Sequence, residues 1–247
     1  MADRERVFTW IYQRNWWDDP ESRSGPGSTA ARTELLRLRL SELFQELGIR
    51  SLLDIPCGDF NWMRLTDMPA VDYTGADIVP ELVRENARRY GGPKRKFIHA
   101  DITRGPLPGA DLVFCRDGLV HLSFSDIERA LRTIKKSRST YLLMTTFTDC
   151  NRNIDVGAGQ FRSLNFMLVP FGFPPALRTL ADGPMLDGSY PGQALALYRV
   201  ADLPGRVEYA ASTAAYQRAA HRLREWMERL LWETGRAYAS LRGGRSN

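Results

Sequence analysis

Four aspartates stand where short apolar runs of the sequence give way to turns. Asp54 ends the run Ser51–Ile55, Asp77 the run Asp72–Ile78, Asp101 the run Phe97–Asp101, and Asp117 follows the run Asp111–Cys115. A carboxylate accepts hydrogen bonds from hydroxyls and amines, attracts positive charge and repels phosphate. The first turn, Asp54-Ile-Pro-Cys-Gly-Asp59, holds one glycine. A dinucleotide site needs Gly-x-Gly-x-x-Gly to bring backbone against a pyrophosphate, and a phosphate loop needs Gly-x-x-x-x-Gly-Lys-Ser/Thr. Neither pattern is present, so the acids point to a ligand with hydroxyls, an amine and a positive charge. His121 lies four residues past Asp117. With an unperturbed pKa of about 6.5 it suits proton abstraction, or equally a backbone-bonded role at the sheet edge. Cys57 has no nearby histidine to make a thiolate and reads as a small turn residue; Cys115 reads as packing.

The elements that must position these residues alternate. Short apolar strands at Ser51–Ile55, Asp72–Ile78, Phe97–Asp101, Asp111–Cys115 and Thr140–Phe147 are separated by helical stretches. Pro80–Tyr90 starts on proline and is closed by Gly91-Gly92; Ser125–Lys136 opens with a Ser125/Glu128 capping box. Before them come an aromatic helix, Arg4–Arg14, a Gly/Pro/Ser-rich loop, Trp16–Ser28, and a helix with Leu36, Leu40, Leu43, Phe44 and Leu47 on one face, ended by Gly48. A last strand, Ala194–Val200, is expected to form a hairpin with residues near Leu177–Ala181. Strands alternating with helices imply parallel βαβ units, and the fold class is α/β, doubly wound: a mostly parallel, Rossmann-like, seven-stranded sheet. In such sheets ligands bind at the carboxyl ends of the strands, where the acids stand.

Asp54-Ile-Pro-Cys-Gly58, Asp77, His99-Ala-Asp101 and Asp111-Leu-Val-Phe-Cys-Arg-Asp117 resemble, in order, the motifs of class I S-adenosylmethionine-dependent methyltransferases. The resemblance spans about Ser51–Val200. It implies S-adenosylmethionine as cofactor, S-adenosylhomocysteine as product, and no metal. It implies a cofactor site of Asp54, Pro56, Cys57, Gly58 and Asp59 against the amino-acid moiety, with Arg116. Asp77 with Ile78 would hold the ribose hydroxyls, and Asp101 would take the adenine amine while Ile102 packs on the ring. The sequence departs from the family where Pro56 and Phe60 replace glycines. His121 is the candidate catalytic base, and Asp117 would orient it or touch the cofactor's ammonium. The Trp16–Ser28 loop is expected to act as a lid, with Ser22, Ser28 and above all Arg32 reaching the methionine carboxylate. The irregular stretch 149–190 is where an acceptor pocket is expected, with Arg152, Asn153, Arg162 and Asn165 as substrate-binding donors and Phe161, Phe166, Phe171 and Phe173 mostly core.

The expected activity is O-methylation of a small molecule, glycan precursor or peptide natural product, in a biosynthetic setting. The alternatives are an RNA- or DNA-modifying methyltransferase and a non-catalytic cofactor-binding scaffold. Net charge is +5 over 247 residues, which alone would suggest nucleic acid. Residues 203–247 hold eight Arg and four Glu, or +4, so the basicity belongs to the tail and a nucleic-acid partner is not expected. The tail, Glu208–Leu241, reads as one amphipathic helix with Leu223, Trp226, Met227, Leu230 and Leu231 on its apolar face and Arg222, Arg224 and Arg229 beside it. It would pack on the domain edge, form a homodimer contact or, through those arginines, recognise an acidic or extended partner. The division expected is 1–50 for leading helices and lid, 51–202 for the core, and 203–247 for the tail. Three scattered cysteines and three scattered histidines give no metal-ligand spacing. With no apolar leader or membrane-length run, a cytoplasmic protein without a membrane partner is expected.

Overall fold

The computed structural model describes residues 2–183 and 188–205; the tail helix read from the sequence lies outside the described residues. Helices α1 (Ala2–Arg14) and α2 (Glu34–Glu46) lead into β1 (Ser51–Asp54). There follow β2 (Asp72–Asp77), α3 (Pro80–Tyr90), β3 (Arg95–His99), β4 (Leu112–Cys115), α4 (Phe124–Lys136) and β5 (Tyr141–Phe147). The described chain closes with the hairpin strands β6 (Arg178–Ala181) and β7 (Gln193–Arg199). All seven strands form one sheet in the order β3-β2-β1-β4-β5-β7-β6. Five run parallel, and β7 is antiparallel to both β5 and β6. The strand order reverses between β1 and β4, the switch point where a doubly wound sheet opens a crevice.

The alternation of strand side chains sorts the core into two faces. Leu53, Val113 and Leu142 pack with Ile127, Leu131 and Ile134 of α4. Leu52, Leu112 and Leu143 point the other way, onto Leu36, Leu40 and Leu43 of α2. Gly48 takes φ 62° directly after α2, the left-handed ending its position in the sequence suggests.

Two boundaries differ from the sequence reading. Strand β3 begins and ends two residues early, because Tyr73 pairs with Arg95 and Asp77 with His99. Asp101 therefore sits in the following turn, where its side chain accepts from the Thr103 N–H at 2.8 Å. Helix α4 is capped by Ser123, not Ser125: the Ser123 hydroxyl accepts from the Asp126 N–H at 3.2 Å and donates to its carboxylate at 2.9 Å. The cap thus stands two residues earlier than the sequence suggests, with Asp126 in the third helical position. Among the described residues no helix is long and apolar enough to cross a membrane.

Candidate active site

A cleft opens over the carboxyl ends of β1, β2 and β4 and the turn after β3. Asp54, Asp77, Asp101, Asp117 and His121 all line it, as do Pro56, Cys57, Gly58, Asp59, Ile78, Ile102 and Arg116. Its other side is formed by α1 and the loop that follows, through Arg4, Phe8, Tyr12, Trp17, Ser24 and Ser28.

The acids are not equivalent. Asp77 is buried and accepts only backbone donors, the N–H of Gly58 at 3.1 Å and of Val79 at 3.0 Å. Burial pushes its carboxyl up to about 6 against the pull of those N–H groups. Asp54 lies deeper; burial raises it to about 8 although the Tyr73 hydroxyl donates to it at 2.6 Å. Asp101 behaves oppositely. Burial pushes its carboxyl up, but the Thr103 hydroxyl and N–H, together with Arg4, hold it below the ordinary carboxylate range. One Asp101 oxygen takes Thr103, and the other takes the Arg4 guanidinium at 3.0 Å. Arg4 also donates to Asp126 at 2.7 Å, so it ties α1 across the sheet edge to α4. Nothing in the local sequence signals a partner 97 positions away.

The two family glycines that are missing have visible compensations. Phe60 takes φ 59°, the left-handed backbone glycine favours, and is held there by an aromatic cluster. Its ring lies 4.9 Å from Tyr73, 5.1 Å from Phe97 and 5.3 Å from Tyr90. Pro56 sits against Gly118, where a β-carbon would collide with the proline ring. Gly58 has φ 55°, and a β-carbon there would strike Ser24 Oγ, so the glycine lets the leading loop rest on the first turn. Asp59 fastens that contact. It accepts from the Ser22 hydroxyl at 2.9 Å, the Arg23 N–H at 2.8 Å and the Ser24 hydroxyl at 3.2 Å, while its own N–H donates to Ser24 at 3.0 Å. Burial and the charges of Asp77 and Asp54 push the Cys57 thiol well up, which fits a packed turn residue.

His121 ends a short turn after β4 and is half-buried. Its Nδ1 lies 3.1 Å from the carbonyl oxygen of Gln160, which can only accept. That bond places the proton on Nδ1 and leaves Nε2 as the basic nitrogen. Burial lowers the imidazole below its ordinary range, opposed by the charge of Asp117. Asp117 itself has φ 53° and makes no hydrogen bond to His121 among those resolved. It is fixed by the Thr145 hydroxyl at 3.2 Å, the Gln193 amide at 3.0 Å and Arg116 at 3.4 Å. Gln160, not Asp117, therefore orients the imidazole. The rings of Trp17 and Phe161 flank it at 5.3 and 5.8 Å.

Several donors expected to face ligand do not. Arg32 is absent from the cleft lining: it is buried, donates to the Asp182 carbonyl and lies 3.6 Å from that residue's carboxylate. Ser22 is occupied by Asp59, whereas Ser28 does line the cleft. Arg152, Asn153, Arg162 and Asn165 are likewise absent from the lining. Asn153 donates to the Asn165 and Val169 carbonyls and accepts the Asn165 N–H, each at 2.9 Å; Asn165 donates to the Cys150 carbonyl at 3.1 Å. A stretch without strand or helix leaves its backbone groups unpaired, and these amides satisfy them. Arg152 is exposed. Arg162 is buried over the Phe124 ring, lowered to about 9 by desolvation, and donates to the carbonyls of Leu119 at 2.9 Å and Ile154 at 3.3 Å. It braces the turn that carries His121. Of the four phenylalanines, Phe166, Phe171 and Phe173 are core, while Phe161 is 42% exposed beside His121 and packs on Tyr190 at 5.0 Å. The residues that sequence reasoning missed are Gln160, Arg4, Trp17 and Tyr73.

Residues 52–138 match the family described as "Methyltransferase domain". That stretch is 87 of the 247 residues, and over it the chain is similar to methyltransferase domains. The match runs from within β1 to just past the end of α4 and includes all five cleft aspartates and His121. Solved structures with the same fold include the methyltransferase domain of the bacterial protein CtHen1, at 12% identity over 68% of this chain and 98% of that one, with a TM-score of 0.51. The PH0226 protein of Pyrococcus horikoshii aligns at 16% identity over 72% of this chain and 96% of that one, with a TM-score of 0.50. No curated protein matches the sequence.

Proposed function

We propose that this protein is an S-adenosylmethionine-dependent methyltransferase that transfers a methyl group to a hydroxyl oxygen of a small molecule or peptide, with His121 as the general base. The observation that carries the reading is His121 at the cleft wall, with Nδ1 donating to the Gln160 carbonyl and Nε2 left basic. The cleft fits the cofactor: buried acids without side-chain cations of their own, Asp54 and Asp77, suit a cationic ligand rich in hydroxyls. Bound there, S-adenosylmethionine supplies an activated methyl group on a sulfonium, already a good leaving group.

The residues of the chain then have three tasks. Asp77 would hold the ribose hydroxyls, while Asp101 would meet the adenine amine and Ile102 pack on its ring. Asp54 and the Pro56–Gly58 turn would face the amino-acid moiety. Asp59 and the seryl loop it fastens would keep water from the cleft. His121 Nε2 would accept the proton of the acceptor hydroxyl as its oxygen attacks. The charge of Asp117 would stabilise the imidazolium so formed, and the Gln160 carbonyl would hold its orientation. Trp17 lines the cleft beside His121, and Phe161 and Tyr190, outside the lining, would border the acceptor side with apolar surface suited to a ring or a short peptide. The three free thiols fit a reducing, cytoplasmic setting.

Incubation with methyl-labelled S-adenosylmethionine and panels of phenols, sugars, hydroxylated peptides and RNA tests this. Label on an alkali-stable ether of a small hydroxyl acceptor is the expected result. Label on nucleic acid alone, or on nitrogen, would overturn it.

A further inference from the structure

A row of rings leads out of the cleft. Trp17 and His121 line it, with their rings 5.3 Å apart. Phe161 follows at 5.8 Å from the imidazole, and Tyr190 at 5.0 Å from Phe161. These last two are 42% and 40% exposed, although Phe166, Phe171 and Phe173 of the same stretch are core. Buried Phe147 meets both edge-on, at 6.0 and 5.9 Å, and so gives the exposed pair a fixed base. Tyr190 has φ 55°, backbone that a bulky residue rarely adopts, and its carbonyl accepts the Gln193 N–H at 3.0 Å where β7 begins. Such strain persists where the surrounding structure imposes it, and here it sets an exposed ring beside Phe161.

Free polar partners are scarce along this row. Asn153 and Asn165 spend their amides on the backbone of their own stretch, and Arg162 is buried, donating to the Leu119 and Ile154 carbonyls. A sugar, with a hydroxyl on nearly every carbon, needs such groups free. The faces and edges of aromatic rings favour another aromatic ring.

We propose that Phe161 and Tyr190 are the stacking platform for an acceptor whose reacting hydroxyl sits on an aromatic ring, a phenol. The proposal rests on the O-methylation reading and narrows its substrate class. A ring stacked on Phe161 stands next to the imidazole, and a hydroxyl at its edge can meet the Nε2 that the Gln160 bond leaves basic. A phenol, with a pKa of about 10, is acidic for a hydroxyl and suits a lone imidazole base. The phenolic oxygen takes the methyl carbon, the carbon–sulfur bond of the sulfonium breaks with its electron pair left on sulfur, and the proton passes to His121 Nε2. The phenol has two sources, a free small molecule or the tyrosyl side chain of a peptide.

Calorimetric titration of the protein saturated with S-adenosylhomocysteine tests the platform. The probes are naphthol, its saturated counterpart decahydronaphthol, a methyl glucoside and a capped tyrosyl tripeptide. Naphthol or the peptide is expected to bind about tenfold or more tightly than decahydronaphthol and the glucoside. Tighter binding of naphthol assigns a small molecule; peptide binding equal to it or above assigns a peptide. Phe161→Leu, which keeps apolar contact with Phe147 and loses the ring, should remove the preference, and Phe161→Trp should retain it. Tyr190→Ala should weaken the aromatic probe about two- to tenfold. Equal binding of naphthol and decahydronaphthol, tighter binding of the glucoside, no binding of any probe, or a preference unchanged in Phe161→Leu would overturn the platform. Failure of S-adenosylhomocysteine to bind the wild type overturns the methyltransferase reading itself, and is seen before any probe is added.

Discussion

The β1–β4 half of the sheet and the segment after β5 both border the cleft, yet they contribute by different physics. From the first half, Asp54, Asp77, Asp101 and Asp117 reach the cleft directly, because each closes a strand or the turn beyond it and the parallel order brings those ends together. The second segment has no regular structure between β5 and β6; Asn153 and Asn165 are occupied by its own backbone, and Arg162 by the turn that carries His121 as well. Asn153, Asn165 and Arg162 satisfy carbonyls that no strand pairs. It acts on the site through what it holds: the Gln160 carbonyl on His121, and the Gly159 N–H on the His121 carbonyl at 2.9 Å. One half supplies polar ligand-facing groups, and the other supplies the frame for a single base.

The sharpest test of that division is His121→Ala. Loss of a positioned general base lowers turnover by about 10²–10⁴-fold, while S-adenosylhomocysteine affinity by calorimetry stays near the wild type. A variant with full turnover and an unchanged pH profile would return His121 to a structural role. Asn153→Ala probes the framing half. Its bonds to the Asn165 and Val169 carbonyls are part-buried and exposed, so their loss costs about 0.5–1.5 kcal/mol of stability, read by urea unfolding, with cofactor affinity unchanged. An intact unfolding midpoint together with a raised acceptor KM would make Asn153 a substrate ligand after all.

A third test concerns pH. Asp54 and Asp77 sit at about 8 and about 6 in the fold, above the roughly 3.9 of an unfolded chain. A raised carboxyl favours the folded state fully below the unfolded value, and that contribution is lost as pH climbs through the folded one. The ligand-free protein should therefore lose melting temperature from pH 4 toward pH 8. Asp54→Asn, which can still accept the Tyr73 hydroxyl, should lose less, by about 2–4 °C per kcal/mol relieved. Parallel melting curves for the two proteins across that window would show that Asp54 is ionised in the fold.

Much of this arrangement is legible in the residues themselves. Short apolar runs closed by turn residues locate the strands, and acids at their ends mark the cleft side of the sheet. The shift of β3 is not legible, since the pairing of Tyr73 with Arg95 sets its register rather than apolar content, and Arg95 and Lys96 read as loop. Arg32 and Arg116 carry the same charge and the same promise. Only the fold shows that Asp182, which lies in the irregular segment's path back to β7, meets both. Side-chain amides that satisfy irregular backbone look, in sequence, just like amides that bind ligand.

The central claim, that the strand-end acids of β1–β4 form the cofactor site, is tested most directly at Asp77. S-adenosylhomocysteine titrated into the wild type and Asp77→Ala should bind the variant at least about tenfold more weakly, reflecting the loss of roughly 1.5–3 kcal/mol of hydrogen bonds to a charged group. Equal affinity in the two proteins, with the variant folded, would contradict the assignment.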